Sequence, residues 1–240
     1  MTTLVVGASG ATGRLLVGQL LKRGQQVKAI VRSSESLPKQ MKDNPRLSVI
    51  QASLLDLSDS EIAAHVRGCN AIASCLGHNL TFKGLFSHPR RLVTDATRRI
   101  CNAIESTGAT DSIKFVLMNT TGNQNRDLNE PISSPQKCVI GLLRLLLPPH
   151  VDNEEAADYL RAEIGQDNSV IQWVTVRPDG LIDQDEVTPY TLHASPTRSA
   201  IFNAGKTSRI NVAHFMADLI TNPKLWNQWQ GQMPVIYNEE

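Results

Sequence analysis

Leu4-Val5-Val6-Gly7-Ala8-Ser9-Gly10-Ala11-Thr12-Gly13 decides how this chain reads, together with Leu15, Leu16, Leu20 and Leu21 and the Gly24 that follows them. Three apolar residues open the stretch as a strand. The leucines then recur at helical spacing until Gly24 supplies a C-terminal stop. A second apolar run, Val27 to Val31, begins at once. Strand, loop, helix and strand therefore fit within about 31 residues, the length of a βαβ unit with parallel strands.

The rhythm continues outward. Leu47 to Ile50, a polar-faced helix near Ser58 to Arg67, Ala71 to Ala73, a long helix near Pro89 to Ser106, and Ile113 to Met118 alternate in order. A helix near Asn153 to Ile164 then precedes a strand from Val170 to Val176. Six strands alternating with helices predict an α/β fold: a Rossmann-type, doubly wound parallel sheet with helices on both faces, formed by residues 1–240 as a single domain. Residues 122–136, rich in Asn, Pro and Ser, and residues 179–197, with Pro189 and Pro196, break the pattern. Both read as loops after strands, placed to form a small substrate-side lobe, because ligands of open α/β sheets bind beyond the carboxyl ends of the strands.

Twenty-four Lys and Arg against 23 Asp and Glu leave a net charge of +1, which offers no electrostatic footprint for nucleic acid. The start of the sequence lacks a basic region, a long apolar core and a small-residue cleavage site, so export is not expected. The apolar run from Val139 to Leu147 is far below the ~20 residues a bilayer demands and contains Arg144. It reads as a helix burying one face, or as an interface of a homodimer if the chain is not a monomer. Cys69, Cys75, Cys101 and Cys138 lack metal-like spacing and read as reduced thiols of a cytoplasmic protein without a metal.

Gly7, Gly10 and Gly13 carry the first chemical inference. Residues without obstructing side chains at a helix N-terminus let a dinucleotide pyrophosphate approach backbone N–H groups. A glycine triplet alone is weak, since tight turns also recruit glycine. Here it follows a strand and opens a helix, the context the motif requires. Arg32 stands nineteen positions after Gly13, where a site specific for NAD carries an acid for the ribose 2′-hydroxyl. Arginine suits a 2′-phosphate instead, and Ser33 or Ser34 adds donors, so NADP(H) is preferred and NAD(H) remains possible. The alternative is a solvated arginine at a strand end.

The GxxGxxG spacing of Gly7 to Gly13, followed by Arg14 and by Val27 to Arg32, resembles the opening of atypical short-chain dehydrogenases of the NmrA-like and flavin/biliverdin-reductase-like group. Phe115 to Gly122 is similar to that group's fifth strand and its serine-rich end, and Trp173 to Gly180 to its TxxRPxxL strand. Ile210 to Met216 resembles a late I-x-V-x-D helix, with His214 in place of the acid. The resemblance implies that Gly7, Ser9, Gly10, Ala11, Thr12 and Gly13 wrap the pyrophosphate and that Arg32 meets the adenosine phosphate. It places Ser53 and Leu54 by the adenine, with Ala52-Ser53 where the group has glycine and aspartate. Cys75, Leu76 and Gly77 fall at the ribose, and Thr120 and Pro178 on the nicotinamide side.

The usual catalytic pair of short-chain dehydrogenases, Tyr-x-x-x-Lys, works because i,i+4 spacing puts both groups on one helix face, where the ammonium lowers the phenol pKa. It is missing here. Four positions after Tyr159 and Tyr190 stand Glu163 and Ala194, and Tyr237 lies too near the end. Anchoring the helix on Ala157 to Leu160 puts Pro149 and Asn153 where tyrosine and lysine would fall. Two readings follow: an NADPH-dependent reductase passing hydride to a small conjugated acceptor (flavin, quinone or carbonyl), which needs positioning more than a strong acid, or a non-catalytic NADP(H) sensor of the NmrA type. Thr120 and His78, with Asn79 beside it, are the candidate catalytic groups; the competing readings are a turn threonine and a solvated loop histidine. His88, Arg90, Arg91, His150 and His193 flank the presumed cleft, Ser133 and Lys137 form a distant substitute pair, and Trp226 with Trp229 reads as one packed helix face.

Overall fold

The computed structural model describes residues 1–78 and 89–239. Strand β1 (Thr2–Val6) lies between β2 (Gln26–Val31) and β4 (Ala71–Ser74), parallel to both. Beyond β2 comes β3 (Leu47–Gln51), and beyond β4 come β5 (Ile113–Met118) and β6 (Ile171–Pro178). With β10 (Val235–Asn238) and β8 (Tyr190–His193), the described residues form an eight-stranded sheet in the order β3-β2-β1-β4-β5-β6-β10-β8. The fold is the doubly wound α/β type. The strand order reverses between β1 and β4, and a crevice opens beyond the carboxyl ends of strands at such a switch point.

Alternation along each central strand divides the core in two. Leu4, Ile72, Phe115 and Trp173 face one layer, while their neighbours Val5, Ala73, Val116 and Val174 face the other. The first layer is closed by α3 (Asp59–Val66), α4 (Leu92–Ser106) and α6 (Pro148–Asp158), which bring Ile62, Ile100 and Ala156 to it. The second is closed by α1 (Ala11–Lys22), α7 (Arg209–Thr221) and α8 (Pro223–Trp229), with Leu16, Leu20, Phe215 and both tryptophans of α8 buried. A short α2 (Lys39–Lys42) leads into β3.

Local signals set the ends. Gly24, at φ +72°, lets α1 finish with Gly24 N–H donating to Leu21 O at 2.9 Å and Gln25 N–H to Leu20 O at 3.1 Å. Helix α3 starts in a capping box: Ser58 Oγ accepts from Glu61 N–H, and Glu61 Oε2 accepts from Ser58 N–H at 2.7 Å.

Four features depart from the sequence reading. Residues 179–197 include β7 (Gly180–Ile182), which pairs with β9 (Lys206–Ser208), and β8, which runs antiparallel on the sheet's edge. Strand β10 was not anticipated; it is four residues long and shows little period of its own. The helix expected from Asn153 begins at Pro148, since prolines fit a first turn that needs no donor, and it runs on through a π-helical turn, Tyr159–Ile164. Helix α5 (Ser134–Leu146), expected to bury one face, buries Ile140 alone, and Leu145 is 79% exposed. It packs on α6 at the rim rather than on the sheet, so its leucines find no layer to enter. Among the described residues no helix is long and apolar enough to cross a membrane, and all four cysteines are free.

Candidate functional site

The glycine loop joins β1 to α1 at the switch point. Gly7 sits at φ +72°, and a Cβ there would lie 2.5 Å from the carbonyl of Cys75 at the end of β4. A Cβ on Gly13 would lie 2.1 Å from Gly7 O. These two glycines let the helix start press onto the loop and the loop onto β4. Gly10 has a different job: as the residue before α1 it offers no capping side chain, so the first-turn N–H groups keep their donors open. No acidic side chain occupies that turn, and the helix dipole adds positive potential there. The arrangement fits an anionic phosphate group, in a cradle that side chains at Gly7 and Gly13 would close.

Beside the loop is a cleft of about 640 Å³. Of the residues picked out in the sequence, Gly7, Ser9, Gly10, Arg32, Ser53, Leu54, Cys75, Leu76, Gly77 and His78 line it. Ile30, Asp56, Pro89 and Leu92 line it too and were not anticipated. Thr12 and Gly13 are buried beneath the loop, and Ala11 is exposed on the helix. Arg32 is exposed at the end of β2, next to Ser33, whose Oγ accepts from Glu35 N–H at 3.3 Å. Burial pushes the Cys75 thiol up to about 12, which keeps it neutral and unreactive.

Thr120 and Pro178 lie outside the lining of this cleft. Thr120 Oγ1 accepts from Gly122 N–H at 3.2 Å, a local turn bond, and Pro178 O accepts from Thr121 N–H at 3.0 Å. The loop that Thr120 begins borders a second cavity of about 710 Å³, lined by Gln124, Asn125, Ser133 and Lys137 among others. Ser133 caps α5 by accepting from Gln136 N–H. Neither Tyr159, which stacks under Arg98, nor Tyr190, whose hydroxyl is 3.0 Å from His214 Nδ1, reaches the 640 Å³ cleft.

His78 is the least expected part of the site. Rather than a solvated loop residue, it is a side chain only 5% exposed, with Nε2 2.7 Å from Asp152 Oδ2. Asp152 is fully buried on α6 and also accepts from Val93 N–H and Thr94 N–H, both at 2.8 Å. It thereby caps α4, whose preceding residue Arg91 gives no side-chain cap. Burial raises the Asp152 pKa, but the bonds from His78, Val93 and Thr94 outweigh it and hold the carboxyl below its ordinary range. Nothing local in the sequence points to Asp152, which caps a helix start nearly sixty residues away.

The remaining candidates have ordinary partners. Asn153, at the position where lysine was sought, donates from Nδ2 to Pro149 O and accepts at its carbonyl from Asn119 Nδ2. His150 Nε2 lies 3.5 Å from Glu154 Oε1. Arg91 pairs with Glu155, Arg90 is exposed, and His193 Nε2 is 3.1 Å from Thr191 Oγ1. Asn79 and His88 lie outside the described residues.

Known proteins can now be set beside this geometry. The family described as NAD(P)H-binding matches residues 7–223. This chain belongs to the NAD(P)H-binding family. The match starts on the first glycine of the loop, in line with the resemblance read from that motif. An uncharacterised chloroplastic protein of Arabidopsis thaliana is 29% identical over 177 residues, 74% of this chain and 58% of that protein. The chain thus spans little more than half the length of that protein. A wide-type short-chain dehydrogenase/reductase from Veillonella parvula, solved in complex with NADP, superimposes with a TM-score of 0.71 at 15% identity over 99% of this chain and 94% of that one. An anaerobilin reductase from Escherichia coli O157:H7 does so with a TM-score of 0.69 at 18% identity over 100% and 98%. At such identities these structures share the family's fold.

Proposed function

We propose that this protein is an NADPH-dependent reductase that passes hydride to a small conjugated acceptor such as a flavin, quinone or carbonyl compound. The observation that carries the reading is the open, uncapped N-terminus of α1 behind Gly10, facing a cleft with Arg32 on its rim. Amides and the Ser9 hydroxyl along Gly7–Gly13 hold the pyrophosphate, and Arg32 with Ser33 holds the 2′-phosphate. Ser53 and Leu54 flank the adenine, Cys75, Leu76 and Gly77 the ribose, and Thr120 and Pro178 the nicotinamide end. When bound, the reduced nicotinamide supplies a hydride.

Among the described residues the tyrosine and lysine of typical short-chain dehydrogenases have no counterpart in the cleft, and burial pushes the Cys75 thiol away from the thiolate form that a nucleophile needs. Orientation of an electron-poor acceptor is the remaining contribution, with Thr120 and His78 as the polar groups on that side. Reductases of the same fold support the reading. A second reading, a sensor that binds NADP(H) without turnover, draws support from the exposed Leu142, Leu145 and Leu146 of α5, an apolar patch of the kind that meets partner proteins. Fluorescence titration with NADPH, followed by NADPH oxidation against a panel of flavins, quinones and small carbonyls, tests both. Turnover with any acceptor supports the reductase; micromolar binding without turnover supports the sensor; no binding of either nucleotide refutes both.

A further inference from the structure

We infer that Asp152 is a positioning residue for His78, and that His78, so held, gives a proton from Nδ1 to the acceptor as that acceptor gains hydride. The inference rests on the reductase reading and adds the acid that reading lacks.

The geometry begins at the carboxylate. An ionised carboxylate only accepts, so the 2.7 Å contact puts a proton on His78 Nε2. Asp152 cannot turn away to accept anything else. Its Oδ1 is held by Thr94 N–H, its Oδ2 by Val93 N–H as well as His78, and its own carbonyl accepts from Thr94 Oγ1 at 2.8 Å. The imidazole is fixed in turn, with Nε2 bound to α6 and Nδ1 as the ring nitrogen that remains, on a residue lining the cofactor cleft. A carboxylate in this position also stabilises the imidazolium, the form that donates.

A purely structural role does not account for the histidine. The cap on α4 is complete with the two amide bonds, and neither needs His78. The imidazole stands one residue after Gly77, at the carboxyl end of β4, on the same cleft wall as Cys75 and Leu76. No other imidazole lines that cleft among the described residues.

The step balances. Hydride from the reduced nicotinamide forms a new bond to one atom of the acceptor's double bond, and the π electron pair moves to the other atom. That atom takes the proton from His78 Nδ1, and the imidazole, neutral with Nε2–H still on Asp152, recovers a proton from water. The nicotinamide is oxidised by two electrons and the acceptor reduced by two.

The test pairs a spectroscopic reading with rates. In wild-type protein, ¹⁵N NMR of neutral His78 should show the proton on Nε2, and in Asp152→Asn the Nε2-protonated form should no longer dominate. Asp152→Asn and His78→Gln should each lower kcat for the best acceptor by about 10²-fold or more, the scale of general acid catalysis, while the Kd for NADPH stays within about twofold. The double variant should be no slower than the worse single one, because the two act as a unit. His78→Gln leaves the cap on α4 in place, so it stays informative if Asp152→Asn unfolds. A proton on Nδ1 in wild type, or a His78→Gln rate within about threefold of wild type, overturns the inference while the reductase reading stands. Wild-type protein that binds NADPH and reduces nothing overturns both.

Discussion

Nη2 of Arg177 lies 2.6 Å from Oε1 of Glu130, with both side chains buried. The guanidinium spends every donor: Nε on Met233 O, Nη1 on Asn123 O and Glu130 Oε2, and Nη2 on Glu130 Oε1 and Ala194 O. One arginine near the end of β6 therefore ties together the loop after β5, the segment after β8 and the approach to β10. The loop bordering the 710 Å³ cavity is anchored at its centre, because Glu130 is one of that cavity's lining residues.

Truncating Glu130 leaves a buried, unpaired guanidinium. Glu130→Ala should cost about 3–5 kcal/mol of unfolding free energy, read from urea denaturation. Arg177→Met should cost a comparable amount, because it strands the buried Glu130 carboxylate and three backbone carbonyls lose their donor. A loss below about 1 kcal/mol for Glu130→Ala would mean that water reaches the arginine and that the loop is not fixed by this pair.

The parts of the fold legible in the sequence share one property: their signal is local and periodic. Strand β1, the glycine loop and α1 are specified within two dozen residues, and Leu4/Val5 or Phe115/Val116 show the two-sided burial directly. Strands β8 and β10 are short, and β8 is only half buried at the edge, so neither shows a clear pattern. In α5 the apolar content misled, since composition says that a face is oily but not whether a sheet lies beneath it. At the site, the glycine loop was visible because it is contiguous. Asp152 and Glu130 were not, because each acts on a partner more than forty residues away.

Acid should weaken the fold through Glu154. Burial raises this carboxyl's pKa, but the His150 ring 3.5 Å away and the bidentate bonds from Arg144, at 2.7 and 2.9 Å, carry it down from 4.5 to about 2. A depressed carboxyl stabilises the folded state above its unfolded pKa, and that stabilisation is lost as pH falls through the folded value. The window is therefore pH 4.5 down to 2. The ceiling is about 3 kcal/mol. Unfolding free energies of wild type and Glu154→Gln should differ most above pH 4.5 and converge toward pH 2; a difference that does not change with pH would exclude this linkage.

Two glycines of α1 should respond in opposite directions. At Gly13 a methyl would meet Gly7 O at 2.1 Å and Ala8 Cα at 3.1 Å, so the helix start must retreat from β1. Gly13→Ala should lose at least about 1–3 kcal/mol of stability and most of the NADPH affinity. At Gly18 a methyl would meet only the end of Met41 at 3.8 Å. Gly18→Ala should gain about 0.5–1 kcal/mol from helix propensity and bind NADPH as wild type does. Thermal melts with and without nucleotide decide both, and a benign Gly13→Ala would show that the loop does not need its close contact with Gly7.

In the proposed reading, cofactor choice rests on Arg32. It is exposed on the rim of the cleft, at the carboxyl end of β2, and its side chain can swing toward a 2′-phosphate without breaking an ion pair among the described residues. Charge-assisted bonds to phosphate contribute about 1.5–3 kcal/mol, so Arg32→Glu should weaken NADPH binding by roughly 10- to 100-fold or more. The new carboxylate can accept from the ribose 2′-hydroxyl of NADH, whose affinity should hold or rise. The ratio of the two Kd values is the quantity to measure, because a general disturbance of the site would weaken both nucleotides together. Equal losses, or none, would take Arg32 out of 2′-phosphate recognition and leave the glycine loop as the part of the site that holds either cofactor.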